Sequence, residues 1–340
     1  MRSQPLKIAV FGAGLVGSYL GGQLVYGGQS VSFIGREKSK ASFESRGLKL
    51  THYARDDILI SQSEARFSTS LESLETADII LLTVKSQDTK AAAVIIKASA
   101  NPEALIISFQ NGVRNGEVLE AALEPLKTLR AVIPFNVTAT GNALHCGTEG
   151  ELTIEQNNDP RLASLIQAFA QAGQGASLSL DIKNIQWGKL LVNLNNALNT
   201  LMGESLRAGL TDRDYRRAFV VLLKEALQIA RAGGIEPAAF GKVSPEKMIK
   251  ILSLPNFLYR PIMNKIIKID STARSSMLDD LEAGKPCEIE YLQGEVVRLA
   301  EDLGLSAPFN AKILDLTQQA FKNGHSPKMR GDQIYAAMVS

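Results

Sequence analysis

Cysteine, histidine and tryptophan are scarce in this chain of 340 residues, which contains two, three and one of them respectively. The two cysteines, Cys146 and Cys287, are too few for a disulfide framework, and this favours a reducing cytoplasm. The histidines His52, His145 and His325 lack the spacing of metal ligands, and only His145 stands beside a cysteine. The sequence therefore predicts a cytoplasmic protein without a metal site.

Long apolar runs and an excess of charge of one sign are also absent. No run reaches the roughly 18 apolar residues that a membrane-spanning helix needs. A glycine-rich turn interrupts the first apolar stretch after five residues, so a strand explains that stretch better than a signal peptide does. The net charge is only +2, which argues against nucleic acid and membrane surfaces as partners.

Length and pattern together predict two domains of different class. A chain of 340 residues exceeds a typical single domain. Up to about residue 180, predicted strands alternate with predicted helices, which is typical of a doubly wound, mostly parallel α/β sheet of the Rossmann type. Beyond that point only helical periodicity is found. We therefore expect a dinucleotide-binding domain over residues 1–180 and an all-α domain over residues 181–340, with the substrate site in the cleft between them.

The boundaries of these elements follow from periodicity and from glycine and proline. Glycines punctuate residues 144–154, which predicts a small hairpin, and two prolines predict a turn or kink over residues 254–261. The other predicted strands are 7–11, 31–34, 48–53, 58–60, 77–84, 104–109 and 130–134, and the predicted helices are 91–98, 117–126, 162–172, 217–232, 271–283, 288–303 and 311–321.

The most informative motif is a glycine-rich turn between the first strand and a helical pattern, which reads G-x-G-x-x-G. Gly12 allows the tight turn, Gly14 lets a pyrophosphate approach the backbone, and Gly17 lets helix and strand pack closely. The N–H groups and the positive dipole at the helix N-terminus favour phosphate. The predicted cofactor-binding residues of this turn are Gly12, Ala13, Gly14, Leu15, Val16 and Gly17.

Arginine rather than a carboxylate follows the second strand. An NAD enzyme usually places Asp or Glu there, about 20 residues after the glycines, to bind the ribose 2′-hydroxyl. Here the strand is followed by Arg36, with Lys38 and Lys40 close behind. A guanidinium binds a 2′-phosphate well, whereas a carboxylate would repel it. The sequence therefore predicts NADPH as the cofactor; the alternative is that Arg36 is a solvated surface residue.

Polar side chains also follow two later strands, where they are expected to face the cleft. Lys85 follows the strand over residues 77–84, and Gln110 and Asn111 follow the strand over residues 104–109. An ammonium there can bind an anion, and a carboxamide can bind a nicotinamide or a substrate carbonyl. The alternative is that Asn111 and Gly112 form a simple turn.

The helical domain begins with Trp187-Gly188-Lys189, and Asn193 follows one turn later. Lys189 and Asn193 are four residues apart and share a helix face. Burial among apolar neighbours lowers a lysine pKa, which suits Lys189 to proton donation near neutral pH. Taken alone, a lysine in this setting can equally be a surface residue whose stem covers apolar neighbours.

Two further side chains are candidates for the same site. Ser276 and Glu288 can supply a hydroxyl and a carboxylate to the cleft. The alternative places Ser275 and Asp279 on a helix surface and treats Glu288 and Glu290 as acidic first-turn residues favoured by the helix dipole.

These motifs together resemble the ketopantoate reductase (2-dehydropantoate 2-reductase) family nearly from end to end. The resemblance implies NADPH-dependent reduction of a 2-oxo acid, with pantoate, a pantothenate precursor, as the family product. It implies that Lys189 is the general acid and that Glu288 orients Lys189 or a substrate hydroxyl. It also implies that Lys85 lies beside the nicotinamide, that Asn111, Asn193 and Ser276 hold the substrate, and that monomers and homodimers both occur.

Two features depart from the family pattern. Many members carry another asparagine eight residues after the lysine, where this chain has Ala197, although Asn195 and Asn196 lie close by. The segment over residues 238–269 also looks longer than in compact members. Both departures concern residues that can contact the substrate, so they affect the prediction of the substrate more than the prediction of the reaction type. A paralogue that reduces a different 2-oxo acid is therefore one alternative.

Two more distant alternatives remain. Hydroxyacid and opine dehydrogenases share the architecture, but they often use histidine as acid or base, and no histidine here stands near a site motif. A regulatory protein that binds NADPH without turnover is the second alternative, and Ala197 leaves room for it. The joint presence of Lys189, Asn193 and Glu288 argues against it.

Overall fold

The structure, a computed structural model, describes residues 4–241, 243–266 and 273–340, and at residues 263–266 only the backbone. The chain divides into two compact units, Met1–Ile182 and Lys183–Ser340. None of the described helices is long and apolar enough to cross a membrane.

The N-terminal unit contains two sheets and the helices that cover them. Its strands are β1 (Lys7–Phe11), β2 (Ser30–Ile34), β3 (Leu48–His52), β4 (Arg55–Ile60), β5 (Arg66–Ser68), β6 (Ile79–Leu82), β7 (Leu105–Ser108), β8 (Lys127–Val132), β9 (Val137–Thr140), β10 (Ala143–Cys146), β11 (Leu152–Glu155) and β12 (Ala176–Ser179). Its helices are α1 (Leu15–Tyr26), α2 (Glu37–Arg46), α3 (Thr89–Ser99), α4 (Asn115–Leu123) and α5 (Arg161–Gln171).

The larger sheet has eight strands in the order β12-β11-β8-β7-β6-β1-β2-β5. Strand β1 lies between β2 and β6 and is parallel to both, with Val10 opposite Phe33 and Leu81. The pairs β2–β5, β6–β7 and β7–β8 are also parallel, and β11 is antiparallel to β8. The prediction of a mostly parallel, doubly wound sheet is therefore confirmed.

Both faces of this sheet are buried because its central strands are apolar on both sides. All four residues of β6 and all four of β7 are buried. Along β1, Val10 belongs to the core shared with α1 and α5, whereas Ala9 belongs to the core shared with α3 and α4. This double coverage explains why the strands read as continuous apolar runs rather than as alternating patterns.

Helix α1 packs against both sheets. A Cβ atom built on Gly21 would lie 2.8 Å from Cζ of Phe33 on β2, and one built on Gly22 would lie 2.8 Å from Cδ1 of Leu50 on β3. Glycine on neighbouring faces of α1 thus lets the helix approach a strand of each sheet.

The smaller sheet corrects the predicted hairpin over residues 144–154. Strand β10 pairs with β9 and β3, whereas β11 pairs with β8 and β12 in the larger sheet. The two strands therefore belong to different sheets. Glycines at positions 147 and 150 mark the passage of the chain from one sheet to the other, and the tight hairpin is the one that joins β9 to β10.

Several elements have no prediction to match them. Helix α2 buries only Phe43, so it carries little of the apolar periodicity on which helix prediction depends. Strands β5 and β12 have three and four residues, too few for a pattern of period two to show. These elements form because neighbouring strands pair with them or support them.

The described residues of the C-terminal unit form helices, apart from one isolated bridge between Phe240 and Val243, and the prediction of an all-α domain is confirmed. The helices are α6 (Ile182–Asn193), α7 (Asn195–Met202), α8 (Leu206–Thr211), α9 (Arg213–Ala232), α10 (Pro245–Leu252), α11 (Asn256–Ile266), α12 (Ser276–Glu282), α13 (Gln293–Asp302), α14 (Pro308–Asn323) and α15 (Gly331–Val339). Residues 271–272, the start of one predicted helix, and residues 267–269 of the long segment lie outside the described residues.

A buried arginine accounts for a second correction. The predicted turn or kink over residues 254–261 holds only for its first part, because α11 begins at Asn256 and contains Pro261. Arg216 on α9 is fully buried and donates to the carbonyl oxygens of Leu252 and Leu254 and to Oδ1 of Asn256. Its guanidinium also lies 3.9 Å from the centre of the Tyr259 ring. This cation–π contact packs Tyr259 of α11 against Arg216 of α9, and α11 continues through Pro261.

An ion pair fixes the start of α5 against the larger sheet. Arg161 donates from Nε and Nη2 to the two carboxylate oxygens of Asp159 at 2.8 and 2.7 Å, and from Nη1 to the carbonyl oxygens of Asp78 and Glu103. The hydrogen bonds from Arg161 lower the pKa of Asp159 to about 2. The pair therefore ties α5 to the residues that precede β6 and β7.

We predict that Asp159→Asn lowers the free energy of unfolding by about 2 kcal/mol at neutral pH, because the paired carboxylate is lost. A carboxyl whose pKa is depressed on folding stabilises the protein above its unfolded pKa and loses this effect as the pH falls through about 2. The difference between variant and wild type in urea denaturation should therefore shrink below about pH 4. Asp57→Asn, which removes the exposed pair with Lys49, serves as the control and should change stability by less than about 1 kcal/mol. Equal losses for both variants would contradict the prediction.

Candidate active site

The glycine-rich turn lies directly after β1 and is fastened to two neighbouring strand ends. Gly12 has a φ of 104°, which disfavours any other residue. A Cβ on Gly12 would lie 2.6 Å from the backbone nitrogen of Val84, just past β6. The backbone N–H groups of Gly12 and Ala13 donate to the carbonyl oxygen of Ile34 at the end of β2. The turn is thus held between β2 and β6.

Thr83 completes this support, and the sequence analysis did not identify it. Its Oγ1 donates to the carbonyl oxygen of Gly12 at 2.8 Å. A Cβ on Gly17 would collide with that same Oγ1 and would lie 2.6 Å from the Gly12 oxygen. Glycine at position 17 therefore lets α1 pack against the turn, as predicted.

The outer side of the turn is open. A Cβ on Gly14 would have no protein atom nearer than the Gly12 oxygen at 3.9 Å. Gly14 is also the residue that precedes α1, and it has no side chain to cap the first-turn N–H groups. Uncapped N–H groups at a helix N-terminus, with space in front of them, suit an anionic group such as a phosphate. Leu15 and Val16 form the first turn of that helix.

Arg36 follows Gly35, a residue that packs against this turn. Gly35 packs near Ala13, because a Cβ atom built on Gly35 would lie 3.1 Å from the Cβ of Ala13. Arg36 follows at once, is exposed, and precedes the first residue of α2. Lys40, by contrast, forms ion pairs with Glu44 at 2.9 Å and Glu37 at 3.6 Å. Of the cations that follow β2, Arg36 is therefore the one directly joined to the residue that packs on the glycine turn.

Lys85 and Asn111 lie in two loops that a buried hydrogen-bond network holds together. Gln110 is buried, and its Nε2 donates to the Val84 carbonyl at 3.1 Å and to Thr89 Oγ1 at 2.8 Å. The carboxamide of Gln110 is therefore occupied by protein groups. Gln110 positions the two loops and has no donor left over for a ligand.

A second buried carboxamide extends this network. Nδ2 of Asn115 donates to the Asn111 carbonyl at 2.6 Å and to Ser86 Oγ at 3.0 Å, and Ser86 Oγ lies 3.0 Å from the same carbonyl. Gly112 has a φ of 84°, so Asn111 and Gly112 do form a turn. The network holds this turn through the backbone oxygen of Asn111.

In the helical unit, Lys189 lies on α6 among apolar residues. Trp187, Leu190 and Leu191 are all buried, and Lys189 is partly buried. Burial lowers the pKa of Lys189 from the ordinary 10.5 to about 8, and the nearby negative charge of Glu288 opposes this shift. An ammonium with such a pKa is charged at neutral pH yet gives up its proton readily.

Glu288 lies just before a short 3-10 helix (Ile289–Tyr291), which corrects the predicted continuous helix over residues 288–303. Glu288 is buried whereas Glu290 is exposed. The two glutamates therefore differ in environment, and the interpretation as a first-turn surface residue suits Glu290 better. Burial raises the pKa of the neighbouring Cys287 to about 12, so its thiol is protonated and unreactive at neutral pH.

Asn193 is the last residue of α6, and one turn residue, Leu194, separates α6 from α7. The carbonyl oxygen of Leu194 accepts a hydrogen bond from Nε2 of buried Gln293 at 2.8 Å. Oδ1 of Asn195 accepts from the hydroxyl of Tyr215 at 2.8 Å. Ala197 is fully buried. Asn195 is therefore engaged within the protein and is a poor substitute for the asparagine that Ala197 replaces.

Ser276 is the first residue of α12 and is partly buried. The prediction that Ser275 lies on a helix surface is wrong, because Ser275 is buried and is the capping residue of α12, accepting from the Leu278 N–H at 3.2 Å. Its own N–H donates to Oδ1 of Asn199 at 3.0 Å. The cap ties α12 to α7 and so fixes the position of Ser276, while Asp279 is exposed as predicted.

The candidate residues form two groups. In the N-terminal unit, the glycine turn, Arg36, Lys85 and Asn111 all follow the carboxyl ends of parallel strands. In the helical unit, Lys189 and Asn193 share α6, and Glu288 lies near Lys189. The supporting residues that the sequence did not indicate are Thr83, Ser86, Asn115, Asn199 and Gln293, while Gln110 and Ser275 support the fold instead of taking the places predicted for them. Among the described residues, no group of three or more His, Cys, Asp or Glu side chains is arranged to hold a metal ion.

Two family models match the chain. One is described as ketopantoate reductase PanE/ApbA and matches residues 8–159, and the other as the ketopantoate reductase PanE/ApbA C terminal and matches residues 181–321. The chain belongs to the ketopantoate reductase family. It is therefore an oxidoreductase of the type that acts on CH–OH and C=O groups.

Individual members of the ketopantoate reductase family resemble the chain over nearly its whole length. A 2-dehydropantoate 2-reductase of Halobacterium salinarum is 26% identical over 332 residues, which cover 94% of this chain and 100% of the relative. The structure of a PanE/ApbA family ketopantoate reductase from Ralstonia eutropha superimposes with a TM-score of 0.77 at 28% identity, covering 93% of this chain and 99% of the other. A D-mandelate dehydrogenase in complex with NADH and anilino(oxo)acetate shares the fold, with a TM-score of 0.75 at 17% identity and coverage of 93% and 99%.

We predict that the Lys189 ammonium titrates near pH 8 in the unliganded protein, because burial disfavours its charged form. Glu288→Gln should lower this pKa further, since it removes the negative charge that favours the ammonium. NMR of isotope-labelled lysine side chains, with the Lys189 signal assigned from Lys189→Met, measures both values. Glu290→Gln changes an exposed glutamate two residues after Glu288. This variant is the matched control and should leave the pKa of Lys189 unchanged. A Lys189 pKa near 10.5 would contradict the prediction.

Proposed function

We propose that this protein reduces 2-dehydropantoate (ketopantoate) to pantoate with NADPH, a step of pantothenate and coenzyme A synthesis. The observation that carries the proposal is Lys189, a partly buried residue among apolar neighbours whose pKa is lowered to about 8 by desolvation, with the Glu288 charge opposing that shift. Lys189 also shares a face of α6 with Asn193. A structural lysine has no need of such an environment, since burial of an ammonium is unfavourable.

Lys189 acts as the general acid. When the carbonyl carbon is reduced, negative charge develops on the carbonyl oxygen, and the Lys189 ammonium stabilises and then protonates that oxygen. Glu288 keeps Lys189 charged at neutral pH by raising a pKa that burial alone would bring lower. Asn193, one turn from Lys189, and Ser276, at the start of α12, bind the polar groups of the substrate.

The residues of the N-terminal unit fit NADPH. Residues 12–17 would hold its pyrophosphate, because Gly14 leaves open space before the uncapped end of α1. Arg36 would hold the 2′-phosphate, and Lys85 and Asn111 would lie beside the nicotinamide. When bound, NADPH supplies the hydride. No carboxylate takes the place of Arg36 after β2, which favours NADPH over NADH.

Substrate, compartment and assembly belong to the same proposal. The substrate is a small 2-oxo acid, the compartment is the cytoplasm, and the assembly is a homodimer. Analytical ultracentrifugation tests the last of these. A paralogue that prefers another 2-oxo acid is the second candidate, and Ala197 favours it, because the neighbouring Asn195 is engaged with Tyr215.

We predict that Lys189→Ala lowers kcat on ketopantoate by about 10²-fold or more, the usual contribution of a general acid, while NADPH still binds. Absorbance at the NADPH band measures turnover, and the fluorescence of NADPH measures binding. Lys183→Ala, at an exposed lysine of the same helix, should keep wild-type activity.

The pH profile provides a second readout of the same assignment. The acid form of Lys189 is required, so kcat/KM for reduction should fall as the pH rises through about 8, and Glu288→Gln should move this fall to lower pH. Wild-type turnover in Lys189→Ala would exclude the mechanism. Tight NADPH binding by the wild type without turnover on any of a panel of 2-oxo acids would favour the regulatory alternative.

Arg36 sets the cofactor preference in this proposal. We predict that Arg36→Ala weakens NADPH binding by about tenfold or more, since one charge-assisted contact to the 2′-phosphate is lost, and leaves NADH binding nearly unchanged. Isothermal titration calorimetry with the two cofactors measures both effects. Arg46→Ala, in the last turn of α2, is the control. Equal effects of Arg36→Ala on NADPH and NADH would show that Arg36 does not contact the 2′-phosphate.

A further inference from the structure

Helix α6 has three sides with different surroundings. Its apolar side carries Trp187, Leu190, Leu191 and Leu194, which are buried. A second side is covered by the chain before α10. The backbone oxygen of Asn184 accepts from the Ala238 N–H at 2.9 Å, and a Cβ on Gly188 would collide with the Ala238 oxygen.

The side of α6 opposite Asn184 and Gly188 is polar. Successive residues of an α-helix are rotated by about 100°, so Gln186, Lys189 and Asn193 fall within about 60° of each other. Lys189 and Asn193 are the residues to which the proposed reaction gives chemistry. Gln186 continues the same stripe by one turn toward the N-terminus of the helix, and neither the proposed mechanism nor the family resemblance uses it.

Gln186 is the member of this stripe that lacks a structural explanation. Only 7% of the residue is exposed, and its Oε1 is buried without a hydrogen-bond partner among the described residues. A buried amide oxygen without a partner is unfavourable and uncommon. The oxygens of buried Gln23 and Gln293 also lack a partner among the described residues, but Nε2 of Gln293 donates to the Leu194 carbonyl and neither residue lies on the polar side of α6.

We propose that Gln186 is a substrate-binding residue whose carboxamide accepts a hydrogen bond from a hydroxyl group of the 2-oxo acid. This inference rests on the proposed function and adds to it the residue that recognises the hydroxyl of the substrate. The ketone oxygen faces Lys189, and the hydroxyl lies toward the N-terminal turn of α6. Asn193 lies on the other side of Lys189 along the stripe.

The chemistry of an amide oxygen selects the ligand group. As placed, the Gln186 oxygen accepts hydrogen bonds, so the ligand group that it binds must be a donor. Among the polar groups of ketopantoate, the hydroxyl is the donor, since the carboxylate and the ketone only accept. The asparagine expected at position 197 is absent, and Asn195 is engaged with Tyr215, so Gln186 supplies a carboxamide at the opposite end of the stripe.

The test compares two substrates in the wild type and in Gln186→Met, which keeps the size of the side chain but removes the amide. The substrates are ketopantoate and its deoxy analogue, which has hydrogen in place of the hydroxyl. We expect the wild type to favour ketopantoate by about tenfold or more in kcat/KM, as loss of one hydrogen bond with an unpaired partner predicts. In Gln186→Met the preference should fall to about twofold or less, with little change for the deoxy analogue.

The control is Gln23→Met on α1, because Gln23 is equally buried and its Oε1 also lacks a partner among the described residues. It should leave the substrate preference unchanged. A preference that is the same in Gln186→Met and wild type overturns the inference, whether both kcat/KM values fall or neither does. The inference is also overturned if Gln186→Met shifts the pH at which kcat/KM falls but leaves the preference for ketopantoate over the deoxy analogue unchanged. Gln186 would then act through Lys189.

A binding measurement separates this inference from the proposed function. If the wild type turns over neither substrate, the proposed function fails. Calorimetric titration of the NADP⁺ complex with pantoate, and with the analogue that lacks the same hydroxyl, then tests Gln186 without turnover. A wild-type preference for pantoate that disappears in Gln186→Met supports the inference. The absence of that preference in the wild type overturns it.

Discussion

An ammonium group placed among apolar side chains is the constraint on which the helical unit depends. Desolvation disfavours the charged form of Lys189, and the carboxylate of Glu288 partly restores it, so that the pKa settles near 8. The two residues are 99 positions apart in sequence, and the chain between them has to fold for the pair to form. Gln293 and Ser275 serve this end, since their hydrogen bonds join the start of α13 and of α12 to the α6–α7 region.

The N-terminal unit offers a site that suits negative charge, and backbone groups rather than side chains form most of it. The glycine turn leaves N–H groups uncapped at the start of α1, while Thr83 and the Ile34 carbonyl hold the turn in place. Arg36 adds one full positive charge beside the turn. In the proposed function, cofactor binding and proton donation therefore belong to residues of separate units with separate supports.

The family relationship fixes the type of reaction more firmly than the substrate. The chain shares its fold with a D-mandelate dehydrogenase at 17% identity, so the architecture accommodates different oxo acids. In this chain the resemblance places Ala197 where many members carry an asparagine, and Gln186 provides a carboxamide in a buried setting.

Local patterns determined the strand-turn-helix at the glycine motif, the parallel sheet and the amphipathic helices, because these depend on neighbours a few residues apart. The sequence also determined which residues are candidates for chemistry, Lys189 and Arg36 among them. Only the tertiary structure decided that β10 and β11 join different sheets and that Arg216 packs against Tyr259 of α11. It also decided that both ends of the Gln110 carboxamide are hydrogen-bonded, while the Gln186 oxygen has no partner among the described residues. Those outcomes depend on burial and on hydrogen bonds between distant segments, which no local pattern records.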